Sequence, residues 1–351
     1  MTTVKMSRAA YPVFVAVLVL SIAFFEYSGV VKESGALLIT LVFWTALLQG
    51  AVAAAAVADL TNSRWIDTLR RELLSAYPLL LVPPVLFLLL APLMNLYPWT
   101  EAPGKWLNEP FFLLRNLVLL VTVYGAGRLY ALRSLRGDPQ TSRYAVIYLF
   151  AFVTCQSLVA FDWVMSLEYP WISSLLGAFY FVEALYAGLA LAGLVFLFRS
   201  ASKDDNAPSA KHLEDIGLLL FGFSILWAGL FFAQYLLLWY GNLPEEVQFI
   251  TRRITVSPFR ELGVVFILAN FAAPFLLLLS RRAKRSSTMV GMASASVLSG
   301  ILAERMFFIL PVVPISVGVL LVENFLLLAL WMLTVHSREE LLPVKREISG
   351  E

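Results

Sequence analysis

Ten runs of mainly apolar residues, separated by short polar or proline-containing segments, account for most of this chain. A helix needs about 20 apolar residues to cross the hydrocarbon core of a membrane, and each run is close to that length. The pattern therefore predicts an all-α fold, a polytopic membrane helix bundle of about ten transmembrane helices, with 1–351 as a single integral membrane domain. The runs lie at residues 10–31, 36–58, 73–94, 110–131, 144–166, 171–198, 213–240, 258–280, 289–310 and 312–335.

The composition agrees with this class, because 60% of the residues are hydrophobic and only 14% are charged. Pro83 and Pro84 fall inside the third run, where they predict a kinked helix. The segment 241–253 contains Pro244 followed by two glutamates, which predicts a short interfacial helix that begins there and docks a peripheral subunit. The polar segment 200–211 predicts a flexible cytoplasmic linker.

The lysines and arginines are distributed unequally between the two predicted sides of the membrane. One side, which includes both termini, carries 18 of them, and the other side carries Lys32, Lys105, Arg252 and Arg253. The positive-inside rule then predicts that both termini are cytoplasmic. We call the two sides cytoplasmic and periplasmic in this subsection.

Few residues could bind a redox cofactor. Cys155 is the single cysteine, so the chain offers no thiolate set for an iron–sulfur cluster. The two histidines, His212 and His336, stand at the ends of runs and not at bundle depth. We therefore expect no cofactor or metal bound by this chain, no haem band from the chain purified alone, and no nucleic-acid partner.

Several ionisable residues fall inside the runs, where a charge is costly and usually functional. Glu183 and Glu323 are predicted near the midplane, inside the bundle, as members of a proton pathway; hydrogen bonding between helices is the structural alternative. Asp59, at the cytoplasmic end of the second run, is a candidate intake acid or a solvated surface acid. Six amides add polar positions that would link carboxylates through water or hold helices together: Gln49, Gln156, Gln234, Asn116, Asn270 and Asn324.

A second group of charges is predicted in the periplasmic thirds of their helices. Asp162 lies about one turn inside the fifth run and would be a proton exit or a structural acid. Arg115, Glu304 and Arg305 fall at similar depth, and Glu168 follows in a short loop. A buried Arg there would pair with Glu304 or Asp162, either as a structural ion pair or as a partner that tunes an acid.

Three segments resemble one family. FDWVMSLEYPW at 161–171 closely resembles a segment of the second NrfD-like membrane subunit of bacterial alternative complex III, a quinol:electron-acceptor oxidoreductase. FAQYLLLWYGNLPEE at 232–246 and NFAAPFLLLLSRRAKR at 270–285 fit the same subunit. Their combination, in this order, is more specific than any one segment alone.

The resemblance implies a ten-helix polysulfide-reductase-type subunit in the bacterial inner membrane. It implies a sister NrfD-like membrane subunit, a periplasmic iron–sulfur subunit and multihaem cytochrome c subunits as partners, besides membrane lipid. It also implies that quinone or quinol could bind. The charges that the orientation count places on the periplasmic side are a charge cluster or the possible quinone site: Asp162, Glu168, Arg115, Glu304 and Arg305. The family commonly has His before the loop tryptophan where this chain has Pro170, so we expect quinone turnover in the sister subunit.

These observations favour a non-haem membrane subunit of a quinol-oxidising respiratory complex that contributes a transmembrane proton pathway. The alternative is a proton-coupled secondary transporter, although the chain has no long internal repeat of the kind that often marks transporters. A third interpretation is an inert anchor whose buried charges are only structural.

Overall fold

A computed structural model describes residues 10–27, 35–75, 77–201 and 209–337, and this part of the chain contains helices and no strands. The predicted all-α fold is confirmed. The helices that we number are α1 Ala10–Tyr27, α2 Ala36–Leu60, α3 Arg70–Leu74, α4 Val82–Leu90, α5 Glu109–Arg136, α6 Thr141–Leu158, α7 Leu175–Ala201, α8 Ala210–Gly241, α9 Pro244–Thr255, α10 Phe259–Ile267, α11 Ala273–Leu277, α12 Arg281–Lys284, α13 Ser287–Ile309 and α14 Val317–His336.

Shorter helical segments extend several of these helices. Two π-helical segments, Val159–Val164 and Leu268–Ala272, continue α6 and α10. Tight 3₁₀ turns account for most of the remaining segments: Arg64–Ile66, Tyr77–Leu81, Ala91–Leu96, Pro98–Thr100 and Met165–Glu168.

Nine helical stretches of the described chain are long and apolar enough to cross a membrane. They correspond to the second to tenth predicted runs and begin and end within a few residues of them. The first run appears as α1, an apolar helix of 18 residues that is shorter than the other nine stretches. The predicted linker falls mainly on residues 202–208, which lie outside the described residues, as do 1–9 and 338–351.

The third run departs from its prediction. Pro83 and Pro84 do not kink a continuous helix but lie in the first turn of α4, directly after the 3₁₀ segment Tyr77–Leu81. A proline lacks the backbone N–H, and the first turn of a helix is where that donor has no intrahelical partner. The run therefore crosses as a series of short helical pieces.

The connections between spans define two ends of the bundle. We call the end with loops 97–108, 169–174 and 310–316 the outer end, and the end with 61–69, 137–140 and 278–286 the inner end. The outer end is the predicted periplasmic one. α9, the predicted helix at Pro244, lies at the outer end between α8 and α10.

α2 occupies the centre of the bundle. It packs against α7 most extensively and also against α4, α6, α13 and α14, and every residue from 36 to 56 is buried. Gly50 and Gly188 allow the backbones of α2 and α7 to touch, since a Cβ on Gly50 would lie 1.8 Å from the carbonyl oxygen of Ala184. A helix buried on all sides is hydrophobic all round, as this one is apart from a few polar side chains.

The α2–α7 contact gives the first prediction. Gly50→Ala should lower stability by about 1–3 kcal/mol or more, because the added methyl forces two backbones apart. Gly125→Ala is the matched control, since a Cβ at Gly125 meets nothing within 4 Å and alanine favours the helix. Thermal unfolding in detergent micelles measures both, and equal unfolding temperatures would show that the contact is not a constraint.

Candidate functional site

The structure buries both midspan acids that the sequence singled out. Glu183 and Glu323 are fully inaccessible, and each has a polar partner within the bundle. Their depth differs from the prediction, because Glu323 lies in the second turn of α14 and Glu183 in the third turn of α7, counted from the outer end. Both acids therefore occupy the outer half and not the midplane. The shift arises because α14 begins at Val317, after the run's first residues form a loop.

Glu323 belongs to a group of polar side chains between α1, α2 and α14. Thr40 donates a hydrogen bond of 2.6 Å from Oγ1 to Glu323 Oε2. Asn324 accepts a hydrogen bond of 2.9 Å from the Trp44 indole. The carboxyl of Glu26, near the end of α1, lies within hydrogen-bonding reach of Glu323.

Glu26 is a residue that the sequence reasoning missed. Its carboxylate accepts hydrogen bonds from the backbone N–H groups of Gly35 and Leu37, at 3.3 and 2.7 Å, and so caps the start of α2. The available signal was a carboxylate near the end of an apolar run, ten residues before a second run begins. Its place beside Glu323 depends on how α1 packs on α14, which no sequence pattern specified.

Two predicted amides meet in the middle of the bundle. Gln156 Nε2 donates to Gln49 Oε1 at 2.9 Å and to the Thr45 carbonyl at 3.4 Å. Gln49 Nε2 donates to Cys155 Sγ at 3.3 Å, and the Tyr148 hydroxyl donates to the Gln49 carbonyl at 2.7 Å. This network joins α2 to α6 across an otherwise apolar interface.

Asp59 lies at the inner end of α2. Its Oδ2 accepts hydrogen bonds of 2.7 Å from Tyr130 and from Ser134, and its Oδ1 pairs with Arg70. The side chain is 6% exposed, so Asp59 is not a freely solvated acid. The Tyr130 ring stacks on Tyr148 with centroids 6.0 Å apart, which connects this group to the amide network above it.

These groups are spread along the length of α2, toward α14 near the outer end and toward α6 and α5 farther in, and together we call them the α2 column. Three of its buried polar atoms have no hydrogen-bond partner: Thr45 Oγ1, Gln156 Oε1 and Glu323 Oε1. Buried polar groups are normally satisfied, and internal water is the usual partner where protein groups are lacking. The column therefore has positions for water at the outer carboxyl and at the central amides. Its members are Glu323, Thr40, Thr45, Gln49, Gln156, Tyr148, Tyr130 and Asp59.

The predicted charge cluster at the outer end is instead three separate ion pairs. Asp162 is held by Arg115, whose Nε and Nη2 donate at 2.7 and 2.8 Å, and by Asn116 Nδ2 at 2.7 Å. The pairing of Asp162 with Arg115 was one of the two expected. Asp162 lies in the π-helical segment that follows α6, and its side chain is 1% exposed.

The second pair joins Glu168 to Arg253, with 2.6 Å between Oε1 and Nη2. From the sequence, Arg253 was counted only among the basic residues of the periplasmic side, and its burial was not predicted: its side chain is fully buried and donates to the carbonyls of Phe249, Phe307 and Phe308. The reason is that α9 is amphipathic, and Arg253 lies one turn after Phe249 on its buried face. Burial lowers the pKa of the Arg253 guanidinium, while the carboxylate of Glu168 opposes that effect.

The third pair joins Arg305 to Glu183, both fully buried. Arg305 therefore does not lie with Asp162 as expected, and its neighbour Glu304 accepts a hydrogen bond of 3.1 Å from Asn270. Each acid contacts its own cation or amide, because a buried charge needs a partner at contact distance. A single cluster shared by three helices would not bring every acid that close to a partner.

An apolar pocket of about 230 Å³ lies beside the second pair. Its walls come from α8, α9, α10 and α13 and include Phe231, Phe266 and Phe307. Gln234 and Arg253 are its polar neighbours toward the outer end. The pocket is partly open, and aromatic walls of this kind suit a flat ring.

The histidines and cysteine lie where the sequence placed them. His212 bonds Ser209 at the start of α8, and His336 is the last residue of α14. Cys155 is buried and free. Within the described ranges, no group of three or more His, Cys, Asp and Glu side chains has the arrangement of a metal site.

Comparison with known protein families found none whose model matches this chain, and comparison with curated proteins found no matching sequence. The resemblance to the alternative complex III subunit therefore rests on the three segments at 161–171, 232–246 and 270–285.

The geometry around Asp162 gives the second prediction. Asp162→Asn should destabilise the protein by about 3–5 kcal/mol, because it leaves the buried Arg115 without a counter-ion. The double variant Arg115→Gln with Asp162→Asn should recover part of that loss, since no net charge remains.

Thermal unfolding of the purified chain measures both variants. Glu261→Gln, which breaks an exposed pair with Arg260, is the control and should not change the unfolding temperature. If Asp162→Asn is as stable as the control, the pair is not structural, and the role of Asp162 as a proton exit gains support.

Proposed function

We propose that this chain is the non-haem membrane subunit of a quinol-oxidising respiratory complex of the alternative complex III type, and that it conducts protons along the α2 column. The observation that carries the proton pathway is the column itself, which runs from Glu323 near the outer end to Asp59 at the inner end. The assignment to a complex rests on the three motif segments.

The column has the parts that proton transfer requires. Glu323 offers a carboxyl group that can take up and release a proton, and Tyr130 and Thr40 offer hydroxyl groups that can pass one. Gln49 and Gln156 cannot carry protons, but they orient water, and their network includes unpartnered atoms where water would bind. Protons would therefore move through water held by the amides and not through the amides.

Asp59 is the exchange group at the inner end. In this proposal the ion pair with Arg70 must open before Asp59 can exchange a proton. The Arg70 side chain is 27% exposed, which leaves it room to move toward water. In this proposal the Asp59–Arg70 pair controls proton exchange at the inner end, and Glu323 holds a proton near the outer end.

The quinone part of the proposal concerns the aromatic pocket beside Arg253. Gln234 can donate a hydrogen bond to a quinone carbonyl, and the phenylalanine walls can hold the ring. Quinone turnover remains assigned to the sister NrfD-like subunit, and the pocket here would be a quinone-interacting site. Iron–sulfur and multihaem cytochrome c subunits would carry the redox centres, in a bacterial inner membrane.

The third prediction tests the assembly. Isolation in mild detergent through a tag on this chain should recover a second membrane subunit of similar fold, an iron–sulfur protein and c-type haem in fixed proportion. Absorption spectra and mass spectrometry of the eluate measure this. A solitary chain that binds a solute would support the proton-coupled transporter instead.

The fourth prediction tests the column. In the reconstituted complex, Glu323→Gln should reduce proton movement at least tenfold while quinol oxidation in uncoupled vesicles continues, because the amide keeps the shape and loses the titratable proton. Gln156→Leu should have the same effect by removing the central water positions, although Glu323 is intact.

Both variants are compared with Glu261→Gln, which lies on the outer surface and should behave as the wild type. A pH-sensitive dye inside the vesicles reports proton movement. Normal proton movement in both column variants, with the complex assembled, would exclude the column as the route.

A further inference from the structure

A second group of ionisable side chains lies between α7, α13 and the π-helical segment of α10, away from the α2 column. Glu183, Glu304 and Arg305 are each 0% exposed. Arg305 Nη2 bonds Glu183 Oε2, and its guanidinium carbon lies 4.0 Å from the centroid of the Tyr180 ring. Asn270 Nδ2 donates to Glu304 Oε2 at 3.1 Å.

Direct hydrogen bonds leave much of this group unsatisfied. Three acceptors, two guanidinium donors and one hydroxyl have no partner, although all are buried. A metal cation would satisfy the acceptors but not the N–H groups of Arg305, whereas water donates and accepts. The unpartnered atoms are Glu183 Oε1, Glu304 Oε1, Asn270 Oδ1, Arg305 Nε, Arg305 Nη1 and Tyr180 Oη.

The formal charges of the group do not balance. Two carboxylates face one guanidinium, and the buried Arg253 does not offset this, because it pairs with Glu168. A net negative charge in a water-poor bundle is costly, and a carboxyl that takes up a proton removes it. The group therefore has a reason to hold one proton.

We infer that Glu183, Glu304 and Arg305 enclose a hydrated proton-binding site in which Glu304 holds the proton. Glu183 pairs directly with Arg305. Glu304 has neutral neighbours, Asn270 and Trp227, and can also present its proton to Glu183. The inference does not rest on the α2 column, which shares none of these residues.

Two backbone features bring Asn270 close to Glu304. Asn270 lies in the π-helical segment Leu268–Ala272, where the wider turn directs its side chain to α13. Gly300 on α13 makes room, because a Cβ there would lie 2.1 Å from Asn270 Oδ1. A π-helical turn and a glycine at the same contact indicate that the amide is placed against Glu304 specifically.

Infrared spectroscopy of the purified chain, as prepared or within its complex, tests this inference through the carbonyl band of protonated carboxyl groups. Glu304→Gln should remove one protonated carboxyl from the wild-type spectrum. Glu183→Gln should remove one as well, since Glu304 then becomes the counter-ion of Arg305 and ionises. Glu323→Gln is the control. The change that Glu323→Gln makes to the spectrum should be the same with and without Glu304→Gln, because the two sites share no residues.

Trp227→Phe shows which acid holds the proton. It also keeps the inference testable if a variant that removes a charged group does not fold. It should shift the same band, because the protonated Glu304 loses a neighbouring indole, whereas Tyr180→Phe beside Arg305 should shift it much less. An unchanged band in Glu304→Gln or Trp227→Phe, with the protein folded, overturns the inference.

A band that appears only when Na⁺ is replaced by K⁺ also overturns it, because a bound metal ion would then take the place of the proton. The infrared result does not depend on proton movement in the Glu323→Gln vesicles. If those vesicles exclude the α2 column as the proton route, the infrared spectra still decide whether Glu304 holds a proton.

Discussion

The cost of an unmatched charge or polar group in hydrocarbon is the constraint on which the rest of this structure depends. It accounts for the bidentate contact of Arg115 with Asp162 and for the four hydrogen bonds that Arg253 makes in the bundle interior. In both cases the cation is fully occupied. Where matching is incomplete, as along the α2 column and around Glu304, polar atoms remain without partners. The contrast separates ion pairs that hold helices together from the groups for which we propose proton exchange.

The two incompletely matched regions are built differently. The column consists mainly of hydroxyls and amides alongside one helix, with a carboxyl near each end. In the proposed route a proton passes between these two carboxyl groups. The group around Glu304 is compact, with two carboxyl groups and one guanidinium that pairs with Glu183. The proposed route and the proposed proton-binding site share no residues: the first follows α2, and the second lies between α7, α13 and the π-helical segment after α10.

The sequence predicted the fold closely because lipid imposes length and hydrophobicity on each helix separately. It identified Glu183, Glu323 and Asp162 for the same reason, since a charge in an apolar run is visible without a structure. It could not give their partners, which depend on rotation and packing: Arg305 turned to Glu183 and not to the outer group, and Glu26 reached Glu323 from another helix. The burial of Arg253 was not predicted because a short amphipathic helix at an interface has no apolar run, so its buried face was not recognised. The depth of Glu323 was wrong because the run included loop residues before α14.

The complete burial of α2 has a consequence for how this protein is made. A helix that enters the membrane second in the chain must first be surrounded by lipid, with Thr40, Thr45 and Gln49 facing acyl chains. Gln49 gains its partner when α6 arrives, but the partner of Thr40, Glu323 on α14, lies 283 residues further along the chain. The centre of the bundle is thus completed late, and a ribosome-bound chain that lacks α14 would retain a polar stripe in the lipid phase, which membrane quality-control proteases or insertion chaperones could recognise as unfinished.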